Sequence, residues 1–294
     1  MTLRALFDVA APAKINLFLH VTGRRPDGYH LLQSLFVLID WCDTLHFELR
    51  TDGRLVRHDL GSALPSDDLC LRAARLLQTE SGCRHGAAIS IDKQVPWGAG
   101  LGGGSSDAAS TLLALNRLWG LGWSRSQLLP LALKLGADVP FFLGGHNAFV
   151  EGIGERLTPV EVPALRLAVL KPAASIETSL IFGSPLLVRD TEAVILTGSS
   201  VDAKPLWSGF GRNDLQHAAQ AACPEVAQAA ARLDESFGNS RMSGSGSAVF
   251  ARVEANAGED GQPGVAMPAD LAPGWVGRMC RSLEAHPLVG WAQG

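Results

Sequence analysis

Twelve residues, Pro96-Trp97-Gly98-Ala99-Gly100-Leu101-Gly102-Gly103-Gly104-Ser105-Ser106-Asp107, hold five glycines and end in Ser-Ser-Asp ahead of an apolar-periodic run, Ala108–Trp119. Glycine lets backbone approach a ligand closely and adopt positive φ. Ser or Asp ahead of a helix caps it, and a helix N-terminus carries partial positive charge and several unpaired N–H groups. Together these features suit a bound phosphate chain. Gly98, Gly100 and Gly103 also fit G-x-G-x-x-G, but Lys93-Gln94-Val95-Pro96 separates the preceding strand from the glycines. The region twenty residues on, Gly120–Ser124, offers no acidic strand end, so a dinucleotide fingerprint is disfavoured. No Gly-Lys-Ser/Thr follows, which excludes Walker A. A purely structural glycine turn is the bland alternative.

Three other places carry chemistry-bearing side chains. In Ala11-Pro12-Ala13-Lys14-Ile15-Asn16-Leu17, strand alternation puts Lys14 and Asn16 on one face and Ile15 and Leu17 on the other. A lone strand lysine is ordinarily a solvated edge residue; between alanines and Pro it suits a partly buried, paired cation. Asp138 sits between a helix stop, Gly136, and an apolar Val-Pro-Phe-Phe run, which suits either a turn or a carboxylate facing a cleft. Tyr29, the single tyrosine, precedes His30 beside the turn Asp27-Gly28. The pair is either a surface feature or a stacking and hydrogen-bonding site for a planar ring.

Positioning these groups requires strands at Val9–Val21, Leu35–Ile39, Thr44–Leu49 and Ala87–Ile91, and a turn at Thr22–Gly28. A helix is expected over Asp67–Gln78, capped by Ser66 or Asp67, and another over Ser126–Leu135, capped by Ser126 and stopped by Gly136. Beyond a boundary near Pro159–Pro163, Leu165–Leu170 and Ala248–Val253 read as strands. Asn213–Asp234 reads as helix, which Pro224 interrupts or restarts, and Ala255–Pro273 as surface loop. With 294 residues, 47% hydrophobic, the chain has material for about two domains, and the class is α+β. Net charge is −4 with no dense basic cluster, which argues against nucleic acid. Five scattered cysteines without C-x-x-C spacing argue against a disulfide framework or zinc site. No signal-like start and no apolar run of about 18 residues occur, so a soluble cytoplasmic protein without membrane partners is expected.

Three segments in this order resemble the GHMP kinase superfamily: Pro12–Leu17, Pro96–Ala109 and Met242-Ser243-Gly244-Ser245-Gly246-Ser247-Ala248-Val249-Phe250. Gly23–Phe36, Leu135–Phe142 and Glu151-Gly152-Ile153-Gly154-Glu155 resemble the members acting on a cytidine-diphosphate-linked erythritol in the non-mevalonate route to isoprenoids. The resemblance implies a two-domain fold: a ribosomal protein S5-like N-terminal domain over 1–160 and a ferredoxin-like C-terminal domain over 161–294. It implies ATP-dependent phosphorylation of a hydroxyl, with Mg²⁺, of a small cytidylyl substrate, by a monomer or weak homodimer.

Matched residue by residue, Asp138 would be the general base and Lys14 its partner. Pro96, Gly98, Ala99, Gly100, Leu101, Gly102, Gly103, Gly104, Ser105 and Ser106 would take ATP. Tyr29, His30 and Phe182 would hold the cytosine, Tyr29 and Phe182 by stacking; Asn16, Thr178 and Gly244 would line the substrate cleft. Ser106 and Asp107 are candidate Mg²⁺ ligands, although helix capping explains both as well. A homoserine- or mevalonate-type kinase is the alternative, and the Tyr29-His30 pair argues against it because those substrates offer no base to stack. Asp68 stands where relatives often carry Asn near the adenine, and Ala255–Pro273 looks unlike their helix.

Overall fold

The computed structural model describes residues 3–195, 204–253 and 266–293. The first strand, β1 (Ala5–Arg24), runs antiparallel to β2 (His30–Arg50). The two strands expected between Leu35 and Leu49 are thus one. Asp43, in the gap between the two expected strands, stays in the ladder opposite Ala11. Its carboxylate is fully buried but accepts from the backbone N–H groups of Gln94 and Val95 and pairs with Lys93. Such compensation makes a buried charge tolerable in a strand.

A short strand, β3 (Leu55–Asp59), pairs in parallel with β4 (Gly86–Asp92), which also pairs with the C-terminal half of β2. The N-terminal half of β2 pairs with β5 (Ala148–Gly152), and β5 with β6 (Arg156–Pro159). The sheet order is therefore β3-β4-β2-β5-β6, with β1 on the other edge of β2.

Four helices follow in this half: α1 (Leu69–Ser81), α2 (Gly103–Leu118), α3 (Arg125–Leu135) and α4 (Val139–Gly144). Asp68, rather than Ser66 or Asp67, caps α1 by accepting from Leu71 N–H, and Gly82 ends it in the left-handed region. Ser124, rather than Ser126, caps α3, because Gln127 three residues on completes a reciprocal capping box. The six-residue α4 was not expected; Pro140 suits its first turn, where a missing N–H costs nothing. The Ala-, Ser- and Leu-rich α2 is buried on nearly every side, with small residues letting it lie against α1, α4 and β1.

The second half holds β7 (Arg166–Lys171), α5 (Thr178–Gly183), α6 (Lys204–Trp207), α7 (Gln216–Ala222), α8 (Pro224–Phe237), β8 (Arg241–Met242), β9 (Val249–Val253) and β10 (Val276–Arg281). Pro224 begins α8, as its missing N–H dictates. The antiparallel order β10-β7-β9-β8 places the fourth, first, third and second strands of this half side by side, the ferredoxin-like arrangement. Of the loop expected at Ala255–Pro273, residues up to 265 lie outside the described residues; 266–273 carry no regular structure.

Past β10 the chain returns to the first half. Leu283 N–H donates to Leu38 O and His286 N–H to Gly145 O, while the Arg125 guanidinium donates to Leu143, Val289 and Ala292 carbonyls. His286 is 1% exposed, with its pKa pushed down to about 3 by burial and secondarily by Arg125. Between its ordinary value and that one the unfolded chain binds a proton that the fold refuses, so stability falls as pH falls. This contribution amounts to about 2 kcal/mol between pH 7 and pH 5. Urea unfolding at the two pH values should show it, and His286→Gln should flatten that difference.

Candidate active site

The β1–β2 register sets Lys14 opposite Leu38 and Asn16 opposite Phe36. Lys14 is not a solvated edge residue but is 3% exposed. Its Nζ donates to Asn16 Oδ1 at 2.5 Å, lies 3.6 Å from Asp138 Oδ2, and sits 4.6 Å from the Phe36 ring centre. Burial lowers its pKa, and Asp138 pulls in the opposite direction. Asp138 occupies the N-cap position of α4 yet makes no capping hydrogen bond with its side chain. Its carboxylate, 31% exposed, is left to face Lys14 and the cleft. Asn16 Nδ2 donates to Ser34 Oγ, so both ends of the amide are held.

The glycine segment is stitched to the first and third motifs through its carbonyls. Gly98 O and Ala99 O accept from Ser247 and Ala248 N–H, Gly100 O from Ser243 Oγ, and Leu101 O from Lys14 N–H. Ser243 Oγ also accepts from Asn16 N–H. Gly98, Gly100 and Gly102 lie at φ +58°, +70° and +71°, a region costly for side chains. Helix α2 starts at Gly103, five residues earlier than expected, with Gly102 at its N-cap and no side-chain cap.

Ser105, Ser106 and Asp107 therefore do not cap α2; they lie inside its first turns. The amides of Gly103, Gly104 and Ser105 find no protein acceptor among the described residues. Such an uncapped N-terminus is an anion site. Beneath it, Lys93 Nζ bridges Asp43 and Asp107, at 2.5 Å from the latter. Burial raises the Asp107 pKa, Lys93 opposes this, and Asp43 adds to it. With this pairing, Asp107 serves the foundation of the loop.

Lys14, Asn16, Tyr29, His30, Asp138, Thr178, Phe182 and Gly244 all line one cleft of about 840 Å³, which Gly98, Gly100 and Gly102 also border. An adjoining groove of about 260 Å³ runs along Pro96, Ala99, Leu101, Gly103, Gly104 and Ser105. Ser106 borders neither; it is fully buried and its hydroxyl has no hydrogen-bond partner. Asp68 lines a further recess of about 180 Å³ with Leu69, Trp97 and Gly104. Its carboxylate is committed to the α1 cap and to Arg57, 2.8 Å away.

At the opposite end, His30 rather than Tyr29 stacks on Phe182, with ring centres 5.0 Å apart and planes at 30°. Tyr29 stays 61% exposed at the mouth. Thr178 Oγ1 shares a 2.7 Å hydrogen bond with Ser245 Oγ, tying α5 to the third motif.

Residue-level reasoning missed Lys93, Asp43, Ser243 and Arg189. Lys93, as the cation flanking the glycines, was the one discernible signal. Arg189 touches His30 across 159 positions of sequence, which no local pattern reports.

A carboxylate beside a buried ammonium, next to a helix N-terminus with free amides, is equipped to move a phosphoryl group onto a hydroxyl. Residues 68–146 match the GHMP kinases N terminal domain, and residues 203–262 the GHMP kinases C terminal domain. The fold is that of a GHMP kinase. Over 294 residues the chain is 69% identical to the 4-diphosphocytidyl-2-C-methyl-D-erythritol kinase of Methylibium petroleiphilum, covering 99% of this chain and 100% of that protein. It is 55% identical to the kinase of the same name from Albidiferax ferrireducens, covering 99% and 96%. The chain belongs to the 4-diphosphocytidyl-2-C-methyl-D-erythritol kinase family. A crystal structure of a 4-(cytidine 5'-diphospho)-2C-methyl-D-erythritol kinase superposes with TM-score 0.71 at 35% identity, over 85% of this chain and 90% of that one. A homoserine kinase from Cytophaga hutchinsonii shares the fold at TM-score 0.62 and 19% identity, over 86% and 85%.

Proposed function

We propose that this enzyme transfers the γ-phosphoryl group of ATP to a hydroxyl of 4-diphosphocytidyl-2-C-methyl-D-erythritol, in the non-mevalonate route to isoprenoid precursors. Kinship with enzymes of that name supports the substrate. The observation that carries the site assignment is a single cleft with two unlike ends. At one end the Lys14–Asp138 pair meets the uncapped start of α2; at the other stand Tyr29, His30 and Phe182.

Free amides at Gly103–Ser105 and the α2 dipole hold the phosphates of ATP. The groove along Pro96, Gly98–Gly104 and Ser105 takes the rest of the triphosphate. Asp138 accepts the proton of the attacking hydroxyl. Lys14, pinned by Asn16 and Asp138, stabilises negative charge developing on the acceptor oxygen. Because Asn16 is held by Ser34 and Ser243, the ammonium needs little reorganisation as charge builds.

Magnesium asks for few protein oxygens, since phosphates and water supply most of its shell. Two partnerless atoms at the start of α2, the Ser106 hydroxyl and Asp107 Oδ1, suit that need, while Asp107 Oδ2 is held by Lys93. Ser106 and Asp107 would hold the ion, which when bound offsets phosphate charge. Tyr29, His30 and Phe182 bind the cytosine, and Thr178 and Gly244 line the path of the diphosphate-linked polyol.

Phosphoryl transfer from ATP to the cytidylyl substrate, to homoserine and to mevalonate tests this reading. Turnover is expected with the first alone; preference for either of the others overturns it. Phe182→Ala should raise KM for the cytidylyl substrate about five- to tenfold through lost stacking, with KM for ATP nearly unchanged.

A further inference from the structure

His30 opens β2 at the cleft mouth, and Arg189, on the segment after α5, reaches across to it. Arg189 Nε lies 3.1 Å from His30 Nε2. A guanidinium has only donors and keeps its proton at any ordinary pH. Nε2 must therefore offer a lone pair, so the ring is neutral and its single proton sits on Nδ1. His30 Nδ1 has no hydrogen-bond partner among the described residues, and the residue lines the cleft. Burial, Arg189 and Arg24, in that order, all push the His30 pKa down, so the neutral ring is the form present near pH 7.

Arg189 is itself braced. Its Nη1 donates to Leu187 O at 2.9 Å; its Nη2 donates to Phe182 O at 3.1 Å and Ser184 O at 2.9 Å. One guanidinium thus ties down the turn that carries the Phe182 ring and sets the protonation of the imidazole against which that ring lies.

A neutral imidazole with its proton on Nδ1 presents a donor to the cleft. Neutral cytosine offers acceptors at N3 and O2, whereas uracil carries a proton on N3. We infer that Arg189 is a positioning residue that fixes His30 as an Nδ1–H donor, and that this makes the base end of the cleft select cytosine over uracil. The inference rests on the cytidylyl reading for its ligand but not for its tautomer.

Two measurements test it. Nitrogen-15 NMR of labelled histidine in the full-length enzyme should find the His30 proton on Nδ1, and Arg189→Met should redistribute it between the two nitrogens. In kinetics, Arg189→Met should raise KM for the cytidylyl substrate about tenfold and narrow its advantage over the uridylyl analogue. KM for ATP should stay within about twofold, and Arg189→Lys, which keeps a donor and the charge, should recover part of the loss. In a His30→Gln background, Arg189→Met should add less than about twofold, because the two act as one unit.

A proton found on Nε2 in the wild type overturns the inference, as does an equal KM rise with and without His30, which would mark Arg189 as a brace for the turn. Wild-type enzyme that turns over neither nucleotide-linked substrate would instead overturn the proposed function, while the NMR result still judges Arg189.

Discussion

Asp138→Asn should lower turnover by about 10²–10⁴-fold while leaving KM for both substrates within a few-fold. The change preserves the shape of the side chain and leaves an oxygen facing Lys14, 3.6 Å away in the native enzyme. It removes the capacity to take the proton of the hydroxyl, together with the negative charge opposite Lys14. Asp138 makes no capping hydrogen bond to α4, so the substitution does not uncap that helix, and urea unfolding separates any loss of stability at Lys14 from loss of the proton acceptor. The pH dependence supplies a second readout. Burial lowers the Lys14 pKa and Asp138 is the charge that raises it, so removing the carboxylate lowers that pKa further. Lys14 then loses its proton at lower pH, and the alkaline limb of the residual activity should move down the pH scale. Steady-state kinetics across pH measures both; turnover within a few-fold of wild type would remove Asp138 from the role of base.

The second large effect is expected at Gly100. Gly100→Ala should lower kcat/KM for ATP at least a hundredfold and destabilise the fold by about 2–4 kcal/mol. The backbone there sits at φ +70°, where a side chain alone costs about 1–2 kcal/mol. A Cβ would also lie well inside van der Waals contact with the Ser243 carbonyl and 3.1 Å from Gly246 N. Those atoms belong to the third motif, so the substitution pries apart the contact through which the two halves share the cleft. Gly120→Ala separates the two causes, because Gly120 has φ +66° with nothing within 4 Å of an added Cβ. It should show the backbone cost by urea unfolding and near-native kinetics. Equal kinetic losses in both variants would mean that strain, and not the close approach of loop to third motif, limits Gly100.

Much of this was legible along the chain, for local reasons. Periodicity located β4, α1, α3 and β7 to within a few residues, because apolar faces must repeat at the period of the element that buries them. Composition of the glycine segment announced close backbone approach, and three positive φ values meet that expectation. Two of the slips in local reading trace to a partner distant in sequence. The strands expected at Leu35–Ile39 and Thr44–Leu49 are one, because Lys93 and two amides from beyond β4 compensate the buried Asp43 between them. Ser105, Ser106 and Asp107 looked like a cap, yet α2 begins before them. Leu101 O is taken by Lys14 N–H, and Asp107 by Lys93, so the helix starts inside the glycines with its amides free. The cap of α3 was misplaced by two residues because two serines compete there, and Gln127 decides between them.

By itself the sequence determined which groups were available: one carboxylate in an apolar run, one lysine in a mostly apolar strand, one tyrosine-histidine pair and a loop rich in glycine. These are matters of residue type and near-neighbour spacing, which the chain writes down directly. Only the tertiary structure decided what they do to one another. Lys14 became a buried, paired cation because β1 lies between β2 and the glycine loop, with Asp138 brought up by α4. His30 became a ring of defined tautomer because Arg189 arrives from the other half of the molecule. Charge state and hydrogen-bond direction depend on burial and on partners within a few ångströms, and such partners are set by the packing of sheets and helices rather than by position along the chain.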